Sequence, residues 1–501
     1  LFKLLNRNIK DFNKIILSLG CITFIFLMGL LSYKISNSYA YFTNSVTGNS
    51  VIEMTYTKPN LDKSGANAPL LSSNMIPVYY DETNKVWKKA SKSNSDEKYK
   101  WYDYDNKMWA NAVTVTSTNR STYLNANAGT IIPISDINAM WVWIPRYTYT
   151  YLNTNTPTEI QIKFEKGTNS SGTISCQDLM QAWGTVGLGS TISETCTDSA
   201  NGYLQAGTST YTHPAFWWDK DDDNVRDEGE ELTGIWVGKF EGALSIMPNA
   251  DPDAGLLQRG LSAFYNTIYN MRNSGNSYGF SVSDEVHMIK NMEWGAVAYL
   301  SHSKYGTCSN GACNEVELNS YHNNSSYKTG CGNNSRYYTC DEYDTTSGKL
   351  SSTTRNIYGI YDMSGGAYEV VMGDTANADA TGMLTGGKNP SETTGTSGFT
   401  GYAFRGLITL KYDFPNKRYY DKYSYGTSNI EYTRGKLGDA TKEMSPSRID
   451  SSYTSWYSTT ASFPESYDSW FSRGYNGLFA FMSSSGYGSG YTSRAVISNL
   501  S

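Results

Sequence analysis

Two stretches in the last third of the chain decide how it is read: Gly359-Ile-Tyr-Asp-Met-Ser-Gly-Gly-Ala-Tyr-Glu369 and Ser472-Arg-Gly-Tyr-Asn476. Glu369 is expected to act as a structural acceptor that fixes its loop, rather than as a general base. No cysteine lies between Arg473 and Arg494. The surrounding composition is rich in Gly, Ser, Thr and Asn, and above all in Tyr, at 41 of 501 residues. That balance favours strands and turns over helices. The length allows two or three domains and an ample core. Net charge is 41 minus 47, or −6, with no basic block beyond the N-terminus, which argues against a nucleic-acid partner.

The first forty residues read as a targeting segment. Lys3, Arg7, Lys10 and Lys14 precede an apolar run from Ile15 to Tyr33, and Ser38-Tyr39-Ala40 offers a small-residue cleavage site. A run of this length is also just enough to span a bilayer. Residues 1–40 are therefore a signal peptide or a transmembrane anchor, with the basic side inside and the bulk outside. Cys21 lies in the apolar run, but its flank lacks a lipobox. The other six cysteines suit an oxidising compartment. Proximity pairs them as Cys176–Cys196, Cys308–Cys313 and Cys331–Cys340. The alternative for the second pair is zinc, with His302 and His322 on its flanks.

Residues 41–135 are expected to form a β-rich N-terminal arm and linker. Tyr41 to about Tyr56 alternates as a strand, and 57–75 has linker composition. Met75 to Val115 is an aromatic subdomain or an arm packed on the body. Residues 136–501 then read as one α+β, loop-rich domain. Met140–Ile144, Ile160–Phe164 and Gly234–Phe240 are predicted strands. Leu256–Arg272 carries Leu257, Leu261, Phe264, Ile268 and Met271 at helical spacing. A second helix is expected over Ser283–Ser301, with Val286, Ile289, Met292, Ala296 and Tyr299 along one side and Ser283-Asp284 as its cap. The region 302–356 is a long excursion pinned by four cysteines.

The two opening stretches, the segment Met292-Glu-Trp-Gly-Ala-Val-Ala-Tyr299 and the final Ser493-Arg-Ala-Val-Ile497 fall in one order. That ordered set resembles the landmarks of the formylglycine-generating (sulfatase-modifying factor) superfamily, over roughly residues 139–501. The resemblance implies a C-type-lectin-like fold. In the family's enzymes, copper-binding cysteines follow the second stretch, and a related branch binds iron through histidines and a carboxylate. Neither set is present here, so the resemblance implies a kept scaffold and lost chemistry. There is also no Gly-x-Ser-x-Gly elbow and no His-Glu-x-x-His site. His213 reads as part of a turn entering a strand, and His287 as a surface residue.

The sharpest local motif is Asp219-Lys-Asp-Asp-Asp-Asn-Val-Arg-Asp-Glu-Gly-Glu230. Set on the twelve-residue calcium loop, its ligands would be Asp219, Asp221, Asp223, the carbonyl of Val225, Asp227 and Glu230. Asn224 replaces the usual glycine, and Asn tolerates the left-handed turn. The flanks look extended rather than helical. The other reading is a solvated acidic loop.

The C-terminal segment mixes strand-like core residues with Tyr475, Asn476, Ser483, Ser484, Ser485, Tyr487, Ser489, Tyr491 and Ser493, expected at turns and on the outward face. Tyr, Ser, Gly and Asn suit a binding surface, because Tyr offers large contact area with few torsions and the others adapt their hydrogen bonds. The pattern resembles the variable region of proteins diversified by retroelements. The first expectation is thus an exported bacterial cell-surface protein that binds a protein or glycan ligand there, without catalysis. Its rivals are a metal-dependent oxidoreductase of the same superfamily and a structural surface or fibre subunit.

Overall fold

The run Met140-Trp-Val-Trp-Ile144 is apolar on both faces, and such a strand has to be covered on both sides. In the computed structural model it forms the middle of β4 (Ile137–Pro145), where every residue but Asn138 is buried. The structure describes residues 58–150, 159–172, 210–221, 227–242, 246–252, 261–273, 277–321, 327–332, 339–375, 417–423, 438–440, 470–474, 481–484 and 491–498. The chain divides into two units, Leu1–Leu61 with Ser95–Glu97, and Asp62–Asn94 with Lys98–Ser501. Among the described residues, every strand and α-helix lies in the second unit.

Its strands are β1 (Ile76–Asp81), β2 (Val86–Lys89), β3 (Asn111–Val115), β4, β5 (Tyr147–Thr150), β6 (Gln161–Phe164), β7 (Thr210–Thr212), β8 (Gly234–Gly238) and β9 (Val286–Met288). After them come β10 (Cys308–Ser309), β11 (Ala312–Cys313), β12 (Tyr368–Thr375), β13 (Asp421–Tyr423), β14 (Trp470–Arg473), β15 (Phe481–Ser484), β16 (Tyr491–Thr492) and β17 (Ala495–Ile497). The helices are α1 (Ser117–Asn125), α2 (Leu261–Tyr269) and α3 (Asn291–Ser301). Among the described residues the protein is a mixed α and β structure, with many strands and few helices.

The main sheet has seven strands in the order β2-β1-β3-β4-β8-β17-β9, with every neighbouring pair antiparallel. A second sheet runs β13-β12-β14-β15, with β16 also on β12. A third has the order β6-β5-β7. The core between these elements is strongly aromatic. Trp143 and Trp236 meet with ring centroids 5.3 Å apart, and Trp101 stacks on Trp236 at 6.4 Å. Burying each such side chain contributes about 1.5–3 kcal/mol. Their polar edges are satisfied by backbone. Trp101 Nε1 donates to Asn111 O and Trp109 Nε1 to Tyr305 O, at 2.7 and 2.8 Å.

The boundary expected near residue 135 is not a structural break. β1, β2 and β3 belong to the same sheet as β4, because β3 pairs with β4 from Asn111↔Val142 to Val115↔Ile137. Met75–Val115 is thus neither an arm nor a subdomain but one wing of the main sheet. The linker-like composition of 57–75 also misleads. No strand or helix forms over 58–75, yet Asn67 Nδ2 donates to Gly167 O and Thr233 O at 2.8 and 3.0 Å, so the chain at Asn67 is fixed within the second unit. The strand expected at 41–56 and the apolar run 15–33 lie outside the described residues. Among the described residues no helix is long and apolar enough to cross a membrane.

The strands expected around 140, 161 and 235 are present as β4, β6 and β8. The first expected helix is present as α2, with Phe264 and Ile268 buried and a 3₁₀ turn carrying Met271. The second begins later than its spacing suggested. Ser281 caps a 3₁₀ turn, Glu285 turns left-handed at φ 49°, and Val286–Met288 is the edge strand β9. Only then does α3 start, and all eleven of its residues are buried. Its small residues allow close approach. A Cβ built on Gly295 would stand 1.9 Å from Gly438 O. Gly295→Ala should therefore destabilise the protein by about 1–3 kcal/mol, read as a lower urea midpoint at unchanged slope. An unchanged midpoint would refute this packing.

Candidate functional site

The two signature stretches touch directly. Gly365 and Gly366 take left-handed φ values of 86° and 78°, and Gly365 N–H donates to Gly474 O at 2.8 Å. A Cβ on Gly365 would lie 2.3 Å from Asn319 O, and one on Gly366 would lie 2.5 Å from Glu241 Oε2. Only glycine fits both the turn and the contact. Beyond the turn, β12 and β14 pair Glu369 with Arg473.

Arg494 lies beneath this junction, fully buried. Its Nε donates to Glu369 Oε1 at 2.9 Å and its Nη2 to Glu369 Oε2 at 3.0 Å. Its remaining donors reach Gly238 O at 2.8 Å and Tyr361 O at 3.0 Å. A buried ion pair is tolerated only when its spare donors are satisfied in this way. Arg473 is buried too, bonded to Asn291 Oδ1, Asp439 O and Ala440 O at 3.0, 3.0 and 3.2 Å. Glu369 is thus held as an acceptor, as its place in the sequence suggested.

Two more titratable side chains lie under the same loop. Glu241 Oε2 accepts from Ala367 N at 3.1 Å, while Oε1 has no hydrogen-bond partner among the described residues. Burial, and then the charges of Asp362 and Glu369, push its carboxyl well above the usual range. Lys239 is fully buried and donates to Asn111 Oδ1, Ile357 O and Gly359 O at 2.8, 2.7 and 2.8 Å. Its Nζ also sits 5.3 and 5.4 Å from the ring centres of Trp87 and Tyr361. Neither residue stands out in the sequence. The available signal is two charges spaced by two at the end of the apolar strand Gly234–Phe240.

In the acidic loop, ligand oxygens of Asp219, Asp221 and Glu230 lie within 4.8 Å of one another. Asp219 and Glu230 are buried and Asp221 is exposed. The loop is closed by an antiparallel bridge between Trp217 and Glu231, and no helix flanks it among the described residues. Glu230 also braces the turn, accepting from Trp217 Nε1 at 3.0 Å, Lys220 N at 2.6 Å and Asp227 N at 3.0 Å. Asp227 enters the loop through its backbone, and Asp223 and Val225 lie outside the described residues. An all-oxygen donor set of this kind suits a hard cation.

The described histidines, His213, His287 and His302, are interior. His213 caps the 3₁₀ turn Pro214–Phe216, its Nδ1 accepting from Ala215 N and its Nε2 donating to Gly438 O at 2.9 Å. Burial lowers its pKa to about 3. His287 is not at the surface. It is fully buried on β9, with Nε2 at 2.9 and 3.1 Å from the Glu293 carboxylate and Nδ1 at 2.7 Å from Glu285 O. Burial alone would raise the Glu293 carboxyl, but His287 and Lys290 hold it below the usual range.

Of the expected display residues, Ser493 is not on an outward face. It is fully buried and its Oγ donates to Val370 O at 2.9 Å, because the chain turns inward there to deliver Arg494. Ser483 and Ser484 lie opposite Phe471 and Trp470 in the β14–β15 pairing, and Tyr491 lies opposite Tyr368. Tyr475, Asn476, Ser485, Tyr487 and Ser489 lie outside the described residues, as do Cys176 and Cys196. Disulfides join Cys308 to Cys313 and Cys331 to Cys340.

The Glu241 carboxyl gives a signed pH dependence. Its ordinary value is near 4.5 and its folded value is raised, so the native state keeps a proton that the unfolded chain releases. Stability should fall as pH rises past about 4.5, by about 1.4 kcal/mol per pH unit, until the folded carboxyl ionises. Glu241→Gln should make this fall shallower in urea unfolding above about pH 4.5, leaving what the raised carboxyls of Asp362 and Glu369 contribute. Parallel curves for wild type and variant would contradict the assignment.

No family model matches the chain, and no curated protein sequence matches it.

Proposed function

We propose that this protein binds a protein or glycan ligand at the outside of a bacterial cell, through its C-terminal segments and without catalysis. The fold read into it is C-type-lectin-like, of the formylglycine-generating type. One observation carries the reading. Glu369, Arg473 and Arg494 are buried, with Arg494 paired to Glu369 and Arg473 bonded to Asn291 and to backbone carbonyls. The signature residues are thereby committed to the frame. Segments 475–480 and 485–490, which join β14 to β15 and β15 to β16, hold the Tyr, Asn and Ser residues suited to contact. Secretion or anchoring through residues 1–40 fits the two disulfides.

If these segments vary under retroelement control, sequencing the locus across a population should find substitutions concentrated at Tyr475, Asn476, Tyr487 and Tyr491. Glu369, Arg473 and Arg494 should stay fixed. Changes spread evenly over the domain would count against a diversified binding face. Replacing Tyr475, Tyr487 and Tyr491 with Ser should each move stability by no more than about 0.5 kcal/mol. Trp294→Ala should cost about 3–5 kcal/mol. Tyrosines as costly as the tryptophan would be core residues.

The acidic loop is read as a calcium site that stiffens the turn after Trp218. Asp219, Asp221 and Glu230 would hold the ion, with Asp223, Asp227 and the Val225 carbonyl as further oxygens. Added calcium should raise the melting temperature, and Asp219→Ala or the milder Asp221→Asn should abolish the rise. A melting curve indifferent to both calcium and EDTA would dismiss the site.

A further inference from the structure

We propose that the Cys308–Cys313 disulfide is a reversible closure over a dithiol–imidazole metal site. Once a dithiol reductant opens the bond, His302, Cys308 and Cys313 bind a thiophilic d¹⁰ cation such as Zn²⁺. The proposal is independent of the ligand-binding reading above.

The geometry comes first. A nitrogen of His302 and both sulfurs lie within 4.8 Å of one another. Two thiolates and an imidazole form a soft donor set suited to zinc rather than to calcium, with a fourth position left for water. The set is preorganised without the covalent bond. Cys308 faces Cys313 directly across the β10–β11 hairpin, whose turn residues Asn310 and Gly311 have φ values of 53° and 80°. Two positive φ values favour a tight hairpin turn. Backbone bonds from Cys308 N to Ser303 O and from Thr307 N to Ser301 O, at 3.1 and 2.7 Å, hold the near strand. Lys107 Nζ adds a bond to Cys308 O at 2.8 Å.

His302 ends α3, with its N–H on Ala298 O at 3.0 Å and its carbonyl accepting from Ile160 N at 2.9 Å. The ring is buried. A crosslink closing so short a loop, with a sequence separation of 5, lies at the low end of what chain-entropy stabilisation gives.

Access is one-sided. Cys308 is buried and Cys313 is partly exposed. A reductant thiolate attacks Cys313 Sγ and expels Cys308 as the thiolate. The reductant's second thiol then displaces Cys313, so two electrons pass from the dithiol, which leaves as a cyclic disulfide. Zinc binding next releases the two thiol protons.

The test uses the full chain, reduced by a dithiol and repurified without air, with Co²⁺ as spectroscopic probe and Zn²⁺ as competitor. Thiolate-to-cobalt charge-transfer absorption should appear on reduction, vanish on adding zinc, and be absent in the oxidised protein. It should be lost in Cys313→Ser and weakened or shifted in His302→Gln, while Cys331→Ser with Cys340→Ser leaves it intact. Thermal melting of the oxidised His302→Gln variant checks that its fold survives. Absorption that persists in Cys313→Ser, or is unchanged in His302→Gln, overturns the proposal. So does reduced protein with free thiols titrated at Cys308 and Cys313 and no such band.

Discussion

The guanidinium of Arg494 is the contact on which the described architecture depends. It precedes β17, an interior strand of the seven-stranded sheet, and follows β16, which lies on β12 in the second sheet. Its donors end on β12 through Glu369, on β8 through Gly238, and on the signature loop through Tyr361. One side chain therefore sets the relation of two sheets and a turn. The desolvation cost of placing a charge there is offset by a bidentate carboxylate and two carbonyls. Removing a single partner would leave a charge stranded in the interior.

The same logic recurs at smaller scale. Arg146 is buried, with Glu165 on its Nε at 2.7 Å and Ser170 and the Phe216 and Leu232 carbonyls among its other partners. Among the described residues Lys239 meets no carboxylate and rests instead on three neutral oxygens and two aromatic faces. This protein joins irregular segments by driving cations into their carbonyl groups. Long loops carry unpaired carbonyls that must find donors, and the described segments between these strands have many of them.

Much of the frame was legible in the sequence, and the failures have particular causes. β4, β6 and β8 announced themselves through apolar and β-branched runs, and α2 through its spacing. The start of α3 was hidden because Val286 and Ile289 extend its apolar stripe backwards, although Glu285 breaks the helix with a left-handed residue. The domain boundary failed for a different reason. Local composition near residue 135 changes, but strand pairing is long-range, and nothing local says that β3 will lie against β4. Of the candidate sites, the acidic loop was visible as a spacing of carboxylates, and the cysteine pairs as short intervals. Glu241 and Lys239 were not, since a charge at the end of a strand looks the same in sequence whether it meets water or a buried carbonyl.

The place of β17 has a consequence for how the polypeptide comes together. This strand bridges β8 and β9, so the main sheet stays split until residues 495–497 have left the ribosome. Non-local pairings of this sort fold slowly. Until that strand docks, β8 and β9 lack the neighbour they share, and the two parts of the sheet cannot be joined.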